Sequence, residues 1–262
     1  MRAASVAAAA LLAVMALPSS AATTKAATAA PAKLPDWSGL WIPEGDETSI
    51  GGLPDASLEA KLEGKPAARN AANQLFGFAA PWNAEGQRRQ ATRQGNGNRK
   101  ADGWGFPMLM SAAAPIQFFV TRDKVLVINA YRDVTDIRIA PRHPADDDLW
   151  PTVWGDSIGH WEGDTLVVDT IKVKNPNEYF HGAPPLSDDA HYVQRIRKIA
   201  PNRIADDITI TDPATLTMPW KVHLVFVPAE GFERMVYDTF DNDRTDSEHG
   251  TIEPTRDERL KQ

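Results

Sequence analysis

Histidines in strand-like segments are the residues whose types and spacing best suit acid–base chemistry. The chain has six histidines, and His160 and His191 both fall in runs that alternate apolar with polar residues. An imidazole titrates near neutral pH, so it can take a proton from a substrate and return it. Alternation puts Asp156 on one strand face with His160, and Arg195 on one face with His191. We predict His160 and His191 as catalytic bases, Arg195 as the anchor for a substrate carboxylate, and Asp156 as a substrate-binding residue. A surface or hydrogen-bonded structural histidine is the alternative for each imidazole.

Asp169 is the third catalytic candidate, because it follows the apolar run Leu166–Val168. A carboxyl group buried at such a position has a raised pKa and can act as a general base. A carboxyl group at a solvent-facing strand end keeps its charge and has no catalytic role. Both interpretations remain open at the level of the sequence.

Aromatic residues in the same segments could bind a planar ligand. Tyr131 and Tyr192 are candidates for a hydrogen bond to a developing phenoxide, and Trp161 is a candidate wall of the site. The alternative is that these rings belong to the hydrophobic core.

Several chemistries lack the residues that they need. The chain has no cysteine, which excludes thiol catalysis, thiolate metal sites and disulfides. Neither H-x-x-x-H nor H-E-x-x-H occurs, and the run Asp146-Asp147-Asp148 lacks the glycine and spacing of a calcium loop. No P-loop, G-x-S-x-G or dinucleotide glycine pattern is present. We therefore predict no metal and no cofactor.

The first 22 residues have the pattern of a cleavable signal peptide, with Arg2 ahead of a small, apolar run and Ser-x-Ala steps at its end. Without Arg2 the formal charge changes from −7 to 27 − 35 = −8, and this acidic balance argues against a nucleic-acid partner. We expect a periplasmic protein with no integral membrane segment. Residues 23–35 are predicted to be a flexible tether and residues 36–105 an irregular, partly helical arm, with helical segments at 57–75 and 82–94. Two tryptophans, Trp37 and Trp41, are predicted to plug one end of the core from a short strand.

From residue 115 onward, short β-type runs alternate with turn residues, and these runs must position the candidate side chains. The clearest is a hairpin at 151–170, whose strands are joined by Glu162-Gly163-Asp164. Other runs lie at 116–121, 125–131, 134–140, 191–199, 203–211, 220–227 and 232–240. About eight to nine strands joined in series favour an antiparallel up-and-down barrel, closed so that no edge is exposed. We place this barrel domain at 106–245, with a charged tail at 246–262; a β-sandwich is the alternative.

The chain resembles a group of exported bacterial proteins that share a W-G-x-S-I-G-x-W-E-G-D-T-L-V-V-D-T hairpin, here Trp154–Thr170. Further similarity lies in D-P…P-W at Asp212–Trp220 and in Y-D-T-F-D-N-D-R at Tyr237–Arg244. This resemblance implies a lipocalin-like barrel, and for some members it implies a cofactor-free enzyme that acts on lignin-derived aromatic compounds. Gln194 departs from the group, in which an acidic residue is common at this position.

Together, these patterns predict a cofactor-independent lyase that performs decarboxylation, or proton-transfer elimination or isomerisation, on a hydrophobic aromatic carboxylate or phenol. The candidate side chains are expected to line a ligand-sized cavity inside the barrel. Two alternatives remain open, a non-catalytic binder of a hydrophobic small molecule and a structural envelope protein whose arm docks to a partner. A homodimer is also left open.

Overall fold

Apolar residues at every second position direct one face of each strand into a common core, and the strands join edge to edge around it. The computed structural model describes residues 31, 33–44, 75–77, 79–93, 104–111, 114–180, 182–235, 245–246 and 251–252. Nine strands form one closed barrel. They are β1 Trp41–Pro43, β2 Ile116–Val120, β3 Lys124–Asn129, β4 Val134–Ile139, β5 Asp156–Glu162, β6 Thr165–Ile171, β7 His191–Ala200, β8 Arg203–Thr211 and β9 Trp220–Pro228.

A few short elements complete the described structure. The helix α1 spans Ala84–Thr92, and the side chain of Asn83 caps its first turn by accepting from the Gly86 amide. Single 3₁₀ turns occur at Met108–Ser111, Asp146–Asp148 and Pro176–Glu178. Two further strands, β10 Thr245–Asp246 and β11 Thr251–Ile252, pair with each other. No helix in the described part of the chain has the length and apolarity needed to cross a membrane.

The predicted all-β barrel is confirmed, with one difference in strand direction. Within the barrel, β4 and β5 are parallel, whereas the other neighbouring pairs are antiparallel. The sequence 140–155 is therefore not a hairpin turn. It is a crossover that returns to the end of the barrel at which β4 began, because only then can β5 start beside β4 in the same direction.

The strand that completes the barrel comes from the N-terminal arm. β1 pairs with β2 at Trp41–Ile116 and with β9 over its full length. The strand predicted at 232–240 is not formed at Phe232–Met235, and its remaining residues lie outside the described residues. The helix predicted at 82–94 is confirmed by α1. The predicted signal peptide, the helix at 57–75 up to residue 74, and most of the tether and the tail also lie outside the described residues.

The two early tryptophans pack with other aromatic rings in the core, although Trp37 lies before β1 and not on it. Trp37 and Trp41 are buried, and the Trp41 indole donates to the Trp37 carbonyl oxygen. The Trp37 ring lies 5.5 Å from the Phe118 ring and 5.7 Å from the Trp161 ring. Full burial of an aromatic side chain contributes on the order of 2 kcal/mol, so these rings tie β1 firmly to the barrel.

Asp133 joins the β3–β4 turn to two neighbouring segments of the protein. It is fully buried, and its carboxylate accepts from the amides of Trp104 and Gly105, from the Asn129 side chain and from the Trp154 indole, over 2.6–3.1 Å. Four donors offset the cost of burying this charge. The segment that begins at Trp104 and the end of the 140–155 crossover are thereby attached to the β3–β4 turn.

Candidate functional site

The strand register places the predicted bases on the outside of the barrel. His160 follows Gly159 and precedes Trp161, both of which are buried in the core. Asp169 lies between the inward-facing Val168 and Thr170 in the same way, and its strand partner is Val193. The same alternation turns Asp156, His191 and Arg195 outward. The expectation that these side chains line an interior cavity is therefore wrong.

Three of the predicted residues nevertheless meet on the outer face, joined by two residues that the sequence analysis did not select. Arg138 donates to Asp156 over 2.5–2.7 Å. The His143 Nδ1 atom lies 2.5 Å from Asp156, and its Nε2 atom lies 3.1 Å from Asp169. The His191 Nε2 atom lies 2.8 Å from the same Asp169 oxygen. We call these five residues, Arg138, Asp156, His143, Asp169 and His191, the imidazole–carboxylate chain.

The parallel pairing of β4 and β5 explains why His143 reaches this position. The crossover leaves β4 at Ile139 and returns across the outer face, so a residue near its start lies over β5 and β6. Lys172 holds the middle of the crossover through Asp146 at 2.9 Å. At its end, Gly155 has a φ of +71°, and a methyl group there would lie 2.7 Å from the Ile171 carbonyl oxygen. Only glycine combines this backbone conformation with so close an approach.

Carboxylates and imidazoles alternate along the imidazole–carboxylate chain. Hydrogen bonds between them shift the pKa values of Asp169 and His191. For Asp169, burial alone would raise the pKa, but the hydrogen bonds from His191 and His143 outweigh it and lower the pKa below its ordinary value. The hydrogen bond to Asp169 raises the pKa of His191 against the opposing effect of burial. His143 faces a carboxylate oxygen with each ring nitrogen, and it thereby links Asp156 to Asp169.

The arrangement of His191 is suited to accepting a proton. Its Nε2 atom is engaged by Asp169, whereas its Nδ1 atom has no hydrogen-bond partner in the described structure. The side chain is 43% exposed, so a substrate can approach from solvent. A carboxylate that orients one ring nitrogen and stabilises the imidazolium makes the other nitrogen a general base.

His160 and Arg195 belong to a second outer group instead. Arg195 donates to Glu162 over 2.8 Å, and His160 lies 3.5 Å from the same side chain. By strand rise, the Cα atoms of His191 and Arg195 are about 13 Å apart. Between the two groups, Val193 on β7 is half-buried, and Val167 on β6, which pairs with Arg195, is buried.

The aromatic candidates do not share this surface. Trp161 and Tyr192 are fully buried and face the barrel interior, so neither can touch a molecule bound to the imidazole–carboxylate chain. Burial raises the pKa of Tyr192, which keeps its hydroxyl protonated. Tyr131 is half-buried and stacks on Trp104, with ring centroids 5.5 Å apart. It lies in the β3–β4 turn, and no contact with the imidazole–carboxylate chain is found for it in the described structure.

A polar pair inside the barrel was also not selected from the sequence. Gln194 on β7 donates to Asp206 on β8 over 2.7 Å, and both side chains are buried. Burial raises the pKa of Asp206 to about 7, because little in the core offsets its charge. The signal was present in the sequence: Asp206 shares its strand face with Ile204 and Ile208, so a carboxyl group interrupts an apolar stripe.

The described residues include no group of three or more histidine or acidic side chains arranged to hold a metal ion. The comparisons with known proteins add no relative, since no family model, no curated protein and no solved structure matches this chain. The fold and the site define a closed β-barrel that carries a line of alternating imidazoles and carboxylates on its outer face.

Proposed function

We propose that the protein is a cofactor-independent lyase that acts on a hydrophobic, lignin-derived aromatic carboxylate or phenol, with the imidazole–carboxylate chain as its acid–base site. The observation that supports this proposal is the geometry of His191, whose Nε2 atom is held by Asp169 while its Nδ1 atom has no hydrogen-bond partner in the described structure and its side chain is 43% exposed. A histidine oriented in this way transfers protons to and from a bound molecule.

Each member of the chain has a role in this proposal. His191 is the catalytic base, and Asp169 orients it and stabilises the imidazolium that forms. His143, held by Asp156, is a positioning residue that keeps Asp169 charged. Arg138 in turn keeps Asp156 in place. Asp156 thus supports the site rather than binding substrate directly.

Loss of formaldehyde from a hydroxymethyl-bearing aromatic illustrates the chemistry. The His191 Nδ1 atom takes the hydroxyl proton, the carbon–carbon bond breaks, and formaldehyde leaves. The electron pair of that bond remains on the carbon attached to the ring, where conjugation spreads the charge. This carbon then takes the proton back from His191, so the step balances without an external oxidant or reductant. In loss of carbon dioxide the substrate carboxylate is already ionised, so protonated His191 donates to the carbanion that remains and then takes a proton from solvent. In loss of water, the His191 Nδ1 atom takes a proton from carbon and returns it to the departing hydroxide.

The surface beside the base suggests how an aromatic substrate would lie. Val193, which is half-buried, lies between His191 and Arg195 on the outer face of β7. A carboxylate on the far end of an elongated substrate would meet Arg195, whose guanidinium already binds the carboxylate of Glu162. Elongated substrates with an acidic group at the end remote from the reacting carbon are therefore expected to be favoured.

The second candidate is non-catalytic binding of a hydrophobic small molecule. It is supported by a different observation, the closed barrel with aromatic and unpaired polar groups in its interior.

The test is to incubate the purified protein with a panel of lignin-derived aromatic carboxylates and phenols and to follow products by mass spectrometry. We expect loss of formaldehyde, water or carbon dioxide from at least one compound, and a loss of about 100-fold or more in rate in His191→Gln. His223→Gln is the matched control, because His223 also pairs with a carboxylate on the outer face, at Asp207, but lies on β9. No turnover by the wild-type protein, or equal losses in both variants, would overturn the proposal.

Export to the periplasm remains a proposal that rests on the leader at residues 1–22. Fractionation of cells that express the full chain, followed by N-terminal sequencing, tests it. Cleavage near Ala22 in the periplasmic fraction is expected, and an intact N-terminus in the cytoplasm would contradict it.

A further inference from the structure

The strand β2 is only partly covered by β1. β1 pairs with β2 at a single position, Trp41 with Ile116, whereas β2 pairs with β3 over its full length. Beyond Ile116, β2 therefore has no strand beside it on the β1 side, within the part of the chain that the structure describes. An edge of this kind offers unpaired N–H and C=O groups to a further strand.

The register of β2 against β3 identifies the main-chain groups that are unpaired. The Thr121 amide, at the end of β2, donates to the Lys124 carbonyl oxygen over 2.9 Å. In an antiparallel pair every second residue bonds to the partner strand, so the odd-numbered residues of β2 bond to β3 and the even-numbered ones point their main-chain groups the other way. Phe118 and Val120 are the even-numbered residues beyond Ile116. Their outward N–H and C=O groups have no hydrogen-bond partner among the described residues.

This edge lacks the features that keep an edge strand from pairing with another chain. Proteins protect such edges with charged residues, proline or a bulge. The strand Ile116–Val120 has neither a charged residue nor a proline, and its pairing with β3 is regular. On its outer face Phe119 is 42% exposed and lies opposite Leu126. The open edge therefore combines free main-chain groups with an exposed aromatic ring.

We propose that the protein forms a homodimer in which β2 pairs antiparallel with β2 of a second copy, about a two-fold axis at Phe119. Phe118 of each copy then faces Val120 of the other, and each of these residues donates its N–H to the other and accepts at its C=O. The Phe119 side chains of the copies become direct neighbours on the same outer face of the joined sheet.

Length and charge favour a second copy over another partner. The uncovered stretch is bounded by Ile116, beside which β1 lies, and by the turn that begins after Thr121, so it is symmetric about Phe119. An identical strand therefore fills it completely. The formal net charge of −7 opposes self-association elsewhere on the surface. At this edge the opposed side chains are Phe119 with its copy and Gln117 with Thr121, all of which are uncharged.

The dimer does not depend on the proposed function. β3 and β4 separate β2 from the strands β5, β6 and β7, on which Asp156, Asp169 and His191 lie. Pairing through β2 therefore leaves His191 of both copies accessible to solvent, and the association can be measured without a substrate.

Sedimentation of the full protein tests the proposal. An interface of one short strand is smaller than that of a permanent dimer, so the mass should be followed from about 1 µM to about 300 µM. We expect monomer at the lowest concentration and dimer at the highest. Phe119→Lys brings like charges opposite each other, and Val120→Pro removes an N–H that β3 does not use, so each should weaken the dimer by about tenfold or more.

Val134→Lys is the matched control. Val134 is 39% exposed on the same outer face but lies on β4, away from the open edge. The variant should dimerise as the wild-type protein does, whereas packing of the outer faces against each other would make it as harmful as Phe119→Lys. A monomer at every concentration, or equal weakening by Val134→Lys and Phe119→Lys, would overturn the proposal.

Amide hydrogen exchange of the wild-type protein reports on the edge itself and needs no variant to fold. The amides of Phe118 and Val120 should exchange more slowly at the highest concentration than at the lowest, because pairing with a second copy covers them. In Phe119→Lys the same amides should exchange rapidly at both concentrations. Slow exchange that does not change with concentration would mean that another segment of the same chain covers the edge, and it would refute the dimer. Rapid exchange in the wild-type protein at both concentrations would refute it as well.

Discussion

Replacement of Asp169 by asparagine should destabilise the protein over a defined pH range only. Asp169 accepts from His143 and His191, and its side chain is 39% exposed. Solvent screens part of each ion pair, so each is worth about 0.5–1 kcal/mol and the two together about 1–2 kcal/mol. The asparagine amide keeps the size of the side chain and removes its charge.

The directions of the pKa shifts define this range. The pKa of His191 is raised above 6.5, so its contribution to stability is fully present below pH 6.5 and is lost as the pH rises through the raised value. The pKa of Asp169 is lowered below 3.8, so its contribution is present above pH 3.8 and is lost as the pH falls through the lowered value. The difference in unfolding free energy between wild-type protein and Asp169→Asn should therefore be largest between these limits.

Asp207→Asn is a closely matched control. Asp207 is also 39% exposed and also pairs with a histidine, His223, but its other partner is Arg197 at 2.5 Å. An arginine stays charged throughout the accessible range. The cost of Asp207→Asn should consequently persist at alkaline pH, whereas the cost of Asp169→Asn should fade.

Urea unfolding followed by tryptophan fluorescence, at pH values of about 5.5 and about 9, measures both differences. We expect Asp169→Asn to cost about 1–2 kcal/mol at the lower pH and less than about 0.5 kcal/mol at the higher one. An equal cost at both pH values would refute the view that Asp169 is stabilised mainly by imidazolium groups.

Three further predictions concern the barrel. Asp133→Ala leaves three buried donors and the part-buried Trp154 indole without an acceptor and should lower the unfolding free energy by about 3 kcal/mol or more, against less than about 1 kcal/mol for the exposed Asp136→Ala. Gly105 and Gly163 both have a φ of +67°. A methyl group would collide with the ring of Tyr179 at Gly105 but would meet nothing within 4 Å at Gly163. Substitution by alanine should therefore lower the unfolding free energy by about 1 kcal/mol at Gly163 and by several times more at Gly105. Because burial raises the pKa of Asp206 from 3.8 to about 7, wild-type stability should fall by up to about 4 kcal/mol as the pH rises through this interval, and Asp206→Asn should abolish that fall. Urea unfolding measures the free energy of unfolding in all three cases. Equal losses for Asp133→Ala and Asp136→Ala, or for alanine at Gly105 and Gly163, would contradict the first two predictions. A stability that does not change with pH would contradict the third.

Much of the barrel could be predicted because apolar residues occur at every second position in most of its strands. The hairpin formed by β5 and β6 turns at Gly163, as its sequence indicates. The parallel direction of β5 could not be predicted, since the charged loop 140–155 fits a turn or a crossover equally well. β1 has only three residues, too few for any period to be visible, so its role in closing the barrel depends on pairing with distant strands.

The candidate site was harder to predict for a different physical reason. Both faces of β5 and β6 carry apolar residues, with Ile158 and Val167 outside and Trp161 and Leu166 inside. Periodicity then indicates a strand without indicating which face is buried. The sequence identified Asp169 and His191, but their link through His143 depends on where the crossover returns.

Exchange of substrate hydrogen with solvent tests most directly the claim that His191 is the catalytic base. Any compound of the aromatic panel that is bound or turned over is incubated in deuterium oxide with wild-type protein, His191→Gln or His223→Gln, and deuterium at the reacting carbon is followed by nuclear magnetic resonance. We predict incorporation with wild-type protein and His223→Gln, and a loss of about 100-fold or more with His191→Gln, because Asp169 orients the His191 ring while its Nδ1 atom has no hydrogen-bond partner in the described structure. Undiminished incorporation in His191→Gln, or none with wild-type protein, would contradict the account.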